Sequence, residues 1–164
     1  MSLPKILIAC SLVFTLGACG FRPLYGTTGD RDVADTLSQI EIAPIPDRLG
    51  QQIHNGLLSA LAPRGPQGTP RFALKVTVTE GISSLAVKKS AFATRADLQL
   101  RSDFQLTELQ TGRGLFSSNS LATSSFNILN SEFATLMAEN SARNRAIKQM
   151  VDDIRTKLAV FLKN

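Results

Sequence analysis

Between residues 72 and 79 the chain alternates strictly. Phe72, Leu74, Val76 and Val78 fall on one face of an extended segment, and Ala73, Lys75, Thr77 and Thr79 on the other. A period of two marks a strand with one buried face. Gly81 is expected to break or bulge that strand, with a less regular continuation from Ile82 to Lys89. The same period returns from Arg95 to Glu108. There Leu98, Leu100, Ser102, Phe104 and Leu106 share one face, and Asp97, Gln99, Arg101, Asp103, Gln105 and Thr107 the other. Thr111-Gly112-Arg113-Gly114 reads as a turn, so a strand from about Leu115 to Phe126 should return antiparallel. This last strand is rich in Ser and Thr and weakly patterned, as expected of a sheet extension that is exposed or held against a partner. A shorter alternation, Ser38 to Ala43, ends at Pro44 and Pro46 and predicts a brief first strand.

Helical spacing takes over in two places. Asp47 is a suitable N-cap, and Leu49, Ile53, Leu57, Ala60 and Leu61 recur at three- and four-residue intervals until Pro63 stops the helix. A long helix is predicted from about Ser131 to Leu162, with Ser131 as cap and Glu132 at the positive end of the dipole. Its apolar face is Phe133, Met137, Ile147, Val151, Ile154, Leu158 and Phe161. Ala134, Ala138, Ala142 and Ala146 form a stripe of small residues that permits close approach to a sheet or another helix. Asn140, Arg143 and Asn144 interrupt the apolar stripe, where the helix is expected to leave the core or meet a partner. The order β-α-β-β-β-α implies an α+β fold. We expect a two-layer sandwich, with about four mostly antiparallel strands and two helices packed on one face of the sheet.

The N-terminal residues follow a different pattern. Lys5 precedes an eleven-residue apolar run, Ile6 to Leu16, and then Leu16-Gly17-Ala18-Cys19. The charge, the length of the run and the small residues before Cys19 match a bacterial lipoprotein signal, in which that Cys is acylated and becomes the mature N-terminus. Three segments are expected: a signal peptide over 1–18, a lipidated tether over 19–37 with little regular structure, and one domain over 38–164. Cleavage would remove Lys5 and Cys10 and occupy Cys19 with lipid, so no intramolecular disulfide is available and packing alone must hold the core. An Asp directly after the Cys would resemble an inner-membrane retention signal; Gly20 stands there instead, favouring the outer membrane.

Composition narrows the chemistry. The chain has 164 residues, 43% hydrophobic and 19% charged, about one domain's worth. Its net charge of +5 suits nucleic acid, anionic lipid or phosphate partners without selecting among them. One His, His54, reads as a helix-flank residue. With no Cys left free after processing, zinc sites and His-based nucleophile pairs are hard to build. No phosphate-binding loop or dinucleotide fingerprint occurs. We expect no enzyme, no metal and no cofactor. Lys88, Lys89 and Arg95 flank the segment Ser90 to Thr94, which carries Phe92. That arrangement can hold phosphate groups beside acyl chains; solubilising strand-face charges are the other reading. Lys75 and Arg101 should project from the polar sheet face.

Cys19-Gly-Phe-Arg-Pro-Leu-Tyr-Gly26, directly after the signal, resembles the mature N-terminus of the LPS-assembly lipoprotein LptE family in its alphaproteobacterial form. Thr94 to Leu100, Thr111-Gly112 with its following strand, and Asn127 to Glu139 opening the long helix are similar to it as well. The resemblance implies an outer-membrane, lipid-anchored protein on the periplasmic side. Such a protein plugs the LptD β-barrel, helps it assemble and takes part in inserting lipopolysaccharide into the outer leaflet. It implies no enzymatic activity and implies lipopolysaccharide contact through basic residues. Lys88, Lys89 and Arg95 are assigned to that contact on physical grounds, not by alignment. One departure stands out: members often carry an acidic residue shortly after the position of Ala86-Val87, where this chain has Lys88-Lys89. The alternative is a periplasm-facing lipid-binding chaperone lipoprotein that acts without a barrel.

Overall fold

The computed structural model describes residues 28–87 and 93–163. The chain divides into Met1–Arg31 and a compact unit, Asp32–Asn164. The elements in order are α1 (Thr28–Leu37), β1 (Ile40–Ile42), α2 (Asp47–Leu61), β2 (Phe72–Val87), β3 (Ala93–Glu108), β4 (Gly114–Asn127) and α3 (Glu132–Lys163). They form an α+β structure around an open four-stranded sheet of order β1-β2-β3-β4. β1 runs parallel to β2, and the other pairs are antiparallel.

The period-two reading of β2 and β3 holds. Phe72, Leu74, Val76, Leu98, Leu100, Ser102, Phe104 and Leu106 are buried on one face, while Lys75, Thr77, Thr79, Arg101, Asp103 and Gln105 are exposed on the other. α2 contributes Ile53, Leu57 and Leu61 to the core, and α3 contributes Ala142, Ala146, Ile147, Met150, Val151, Ile154 and Leu158. The small stripe is used where Ala142 and Ala146 are fully buried over β4, whose inward positions Ser120 and Ala122 are themselves small. The Ser- and Ala-rich inner face of β4 therefore lets the helix axis come close to the sheet. At the far end Phe161 stacks on Phe116 with centroids 4.8 Å apart, and Phe116 meets Phe104 edge-on.

Four expectations are corrected. Residues 28–37 are helical rather than irregular: α1 places Leu37 in the core and Val33 against it, an i, i+4 pair that justifies the helix. Gly81 neither breaks nor bulges β2. It pairs in register with Gln99, and the one register shift between β3 and β4 falls at Leu106/Thr107. Asp47 does not cap α2 but begins it, at φ 68° in the left-handed region that Asp tolerates, after Pro46 and with no side-chain cap bond. The apolar face of α3 is not buried throughout, because Phe133 and Met137 lie exposed in its first two turns. Ser131 does cap α3, accepting a hydrogen bond from the Ala134 amide at 3.4 Å.

Gly50 is the tightest point of the α2 connection. A Cβ there would lie 2.7 Å from Ile45 Cγ2 and 2.8 Å from the Ile45 carbonyl oxygen. The backbone oxygen cannot rotate away, so the clash outweighs the ~1 kcal/mol helix-propensity gain of Ala over Gly. Gly50→Ala is expected to destabilise the domain by about 1–3 kcal/mol, read as a lower urea midpoint at unchanged slope.

Candidate functional site

The three helices leave one face of the sheet uncovered, and the register makes that face a grid. Lys75, Gln105 and Ser117 lie in one cross-strand row, and Thr77, Asp103 and Asn119 in the next. Thr79, Arg101 and Leu121 follow, then Gly81, Gln99 and Thr123, then Ser83, Asp97 and Ser125. Every row carries polar groups, and the one large apolar side chain among them is Leu121. The Ser125 hydroxyl donates to the Asp97 carboxylate across two strands. Lys75, Thr77, Asp103, Gln105, Ser117 and Asn119 line a shallow groove of about 650 Å³ on this face. Such a surface offers donors and acceptors at the 4.7–4.9 Å strand spacing to a partner that is itself polar.

Lys75 and Arg101 project from this face as expected. Arg95 is exposed, opposite Asn127 in the β3–β4 register and on the same face as Arg101. Lys88, Lys89, Phe92 and Cys19 lie outside the described residues.

The opposite, helix-bearing side holds a polar network. Arg143 on α3 donates from Nε to Glu80 Oε2 at 2.7 Å and from Nη2 to Glu80 Oε1 at 2.8 Å. The same Nη2 reaches Glu139 Oε1 at 2.6 Å, and Nη1 reaches Asn140 Oδ1 at 2.8 Å. The hydrogen bond that Arg143 donates to Glu80 is the main reason its pKa is raised above its ordinary value. A crevice of about 510 Å³ beside the pair is lined by Asp47, Arg48, Leu49, Gln52, Asn140 and Asn144 as well. Arg143 thus ties α3 to β2 within the chain. Sequence reading missed Glu80, although a signal existed: it is a carboxylate at an inward position of the β2 alternation. Glu80→Ala removes the bidentate partner while Glu139 remains. It is expected to cost about 1 kcal/mol, measured in a double-mutant cycle with Arg143→Ala.

Lower on α3, Lys157 Nζ donates to Asp153 Oδ2 at 2.7 Å. Burial pushes the Asp153 carboxyl up, but the group is held below its ordinary value, with the hydrogen bond and charge of Lys157 acting against burial. His54 is half-buried on α2. Among the described residues no three His, Cys, Asp or Glu side chains converge as a metal site, and no helix is long and apolar enough to cross a membrane.

The fold recurs in solved structures. The chain aligns with a protein named as a lipoprotein from Caulobacter crescentus, with a TM-score of 0.66 and 21% identity over 80% of this chain and 96% of that one. It aligns with a minor lipoprotein from Acinetobacter baumannii at a TM-score of 0.61 and 18% identity, covering 75% and 92% of the two chains. The rare lipoprotein B of Shewanella oneidensis aligns at 0.53 and 10% identity, covering 76% and 98%. No family model and no curated protein matches the sequence. At these identities the shared property is the fold.

Proposed function

We propose that this chain is an outer-membrane lipoprotein of LptE type, anchored through Cys19 and facing the periplasm, that plugs and helps assemble the LptD β-barrel. In that place it takes part in moving lipopolysaccharide to the outer leaflet, and no catalytic step is assigned to it. The observation that carries this reading is the uncovered sheet face, polar in every cross-strand row. A barrel lumen is lined by polar side chains, and a rigid polar face can bond to them without opening its own core. The signal sequence ending at Cys19, and a fold shared with proteins named as lipoproteins, point the same way.

Lys88, Lys89 and Arg95 are proposed to meet lipopolysaccharide phosphates, as cations suited to charge-assisted bonds. The second reading, a lipid-binding chaperone that needs no barrel, is favoured by one feature: Leu129, Phe133, Leu136 and Met137 lie exposed on and just before the first turns of α3. Charge reversal at Lys88, Lys89 and Arg95 separates the two. Under the plug reading the amount of folded barrel depends on this chain, so depleting it lowers that amount and the charge-reversed chain restores it. A barrel that folds equally well without the chain would leave only the chaperone reading.

A further inference from the structure

The two edges of the sheet are protected by different means. β1 is three residues long and is followed by Pro44 and Pro46, too short and too interrupted to accept a further strand. β4 forms the opposite edge, is fourteen residues long, and contains neither a charged residue nor a proline. A long uncharged edge without proline is the kind that pairs with another chain.

Protection of β4 comes instead from α3. Lys157 Nζ, steadied by Asp153, donates to the Asn119 carbonyl oxygen at 2.7 Å. Arg145 donates from Nη2 to the Ser125 carbonyl oxygen and from Nε to the Ser124 hydroxyl, both at 3.1 Å, and its Nη1 is steadied by the Ser141 hydroxyl at 2.8 Å. Asn119 and Ser125 have the same parity along the strand. In an antiparallel pair alternate residues turn both backbone groups away from the neighbour. The amides and carbonyls of residues 117, 119, 121, 123 and 125 therefore point outward, and the two cations occupy carbonyls on either side of Leu121, which is 57% exposed.

We infer that the outer edge of β4 is a latent strand-pairing surface for the β4 of a second copy of this chain, held closed by Arg145 and Lys157. An antiparallel pairing about a two-fold axis at Leu121 sets each copy's Leu121 against the other's and Asn119 against Thr123. No like charges meet, because the strand has none, and the exposed leucines cover each other. The guards act whether or not the chain also sits in a barrel.

The test compares the full chain in detergent with its Arg145→Ala/Lys157→Ala variant by sedimentation at matched concentrations. The native chain is expected to run as a monomer and the double variant as a dimer. Adding Thr123→Pro removes an outward amide hydrogen and no bond to β3, and is expected to return the double variant to a monomer. A double variant with native circular dichroism that stays monomeric overturns the inference, as does a dimer that survives Thr123→Pro. Two further variants decide the matter if the double variant does not fold. Lys157→Ala alone is expected to dimerise partially, and continued monomeric behaviour at high concentration counts against the guard. Thr123→Pro in the native chain is expected to shift the melting point by only a few degrees; loss of the fold would show that this amide does not face outward.

Discussion

Cys19→Ala is expected to abolish acylation and remove the chain from the outer-membrane fraction. Each buried methylene contributes ~0.8 kcal/mol to membrane binding, so a single acyl chain holds marginally and several together hold firmly. Among the described residues no helix is long and apolar enough to span a bilayer. The exposed stripe Leu129, Phe133, Leu136 and Met137 is small beside the methylenes of a multiply acylated terminus. Intact mass and density-gradient fractionation read the outcome: acyl mass present in the native chain and absent from the variant, with the variant's outer-membrane share near zero. An unchanged share would mean that the lipid is not the anchor.

Leu100→Ala should be among the most costly single substitutions in the domain. Leu100 is fully buried at the middle of β3, paired with Ala122 on one side and Glu80 on the other, beneath the helical layer. Its neighbours cannot close the gap: the Ala122 side chain is a single methyl that cannot rotate inward, and Glu80 is held by Arg143. Removing the side chain therefore forfeits both the transfer energy and the contacts around the cavity, about 2–5 kcal/mol. Against a total of roughly 5–15 kcal/mol, that lowers the melting temperature by on the order of 10 °C. Leu121→Ala, on the uncovered face of the neighbouring strand, is the control and should change stability by no more than about 0.5 kcal/mol. Thermal melts of the two variants side by side give the comparison. Equal melting points would mean that the burial assignment of the two faces is wrong.

That contrast also marks what the sequence makes legible. The alternation of β2 and β3 distinguishes Leu100 from Arg101 without coordinates, because a period of two has only two phases and one of them is apolar. The helix spacing of α2 is equally direct. β4 is harder: between Phe116 and Phe126 its inner face is Ser118, Ser120, Ala122 and Ser124, small residues whose purpose is visible only once Ala142 and Ala146 are seen above them. α1 was obscured by its Gly, Thr and Asp content, although Val33 and Leu37 at an i, i+4 interval carried the signal. The face of α3 shows the reverse problem. Periodicity groups Phe133 and Met137 with Ile147 and Ile154, yet cannot say how far along the helix the sheet extends, and Phe133 ends 72% exposed. The Glu80–Arg143 tie joins residues 63 positions apart, and the caps on the β4 edge use backbone carbonyls. Neither has a local pattern to read. The candidate site divides in the same way. The polar grid follows from strand phase, and the acylation motif from local spacing.

The uncovered polar face and the packing of α3 on β3 and β4 describe a domain that is closed on its helical side and polar on the other, as the proposed plug of a barrel requires. The measurement that tests this most directly is recovery of the acylated chain from outer membranes after mild crosslinking. Co-purification with a single β-barrel at equal stoichiometry, crosslinked through residues of the uncovered face such as Thr77 or Thr123, is the predicted result. Recovery of the chain alone would contradict the plug.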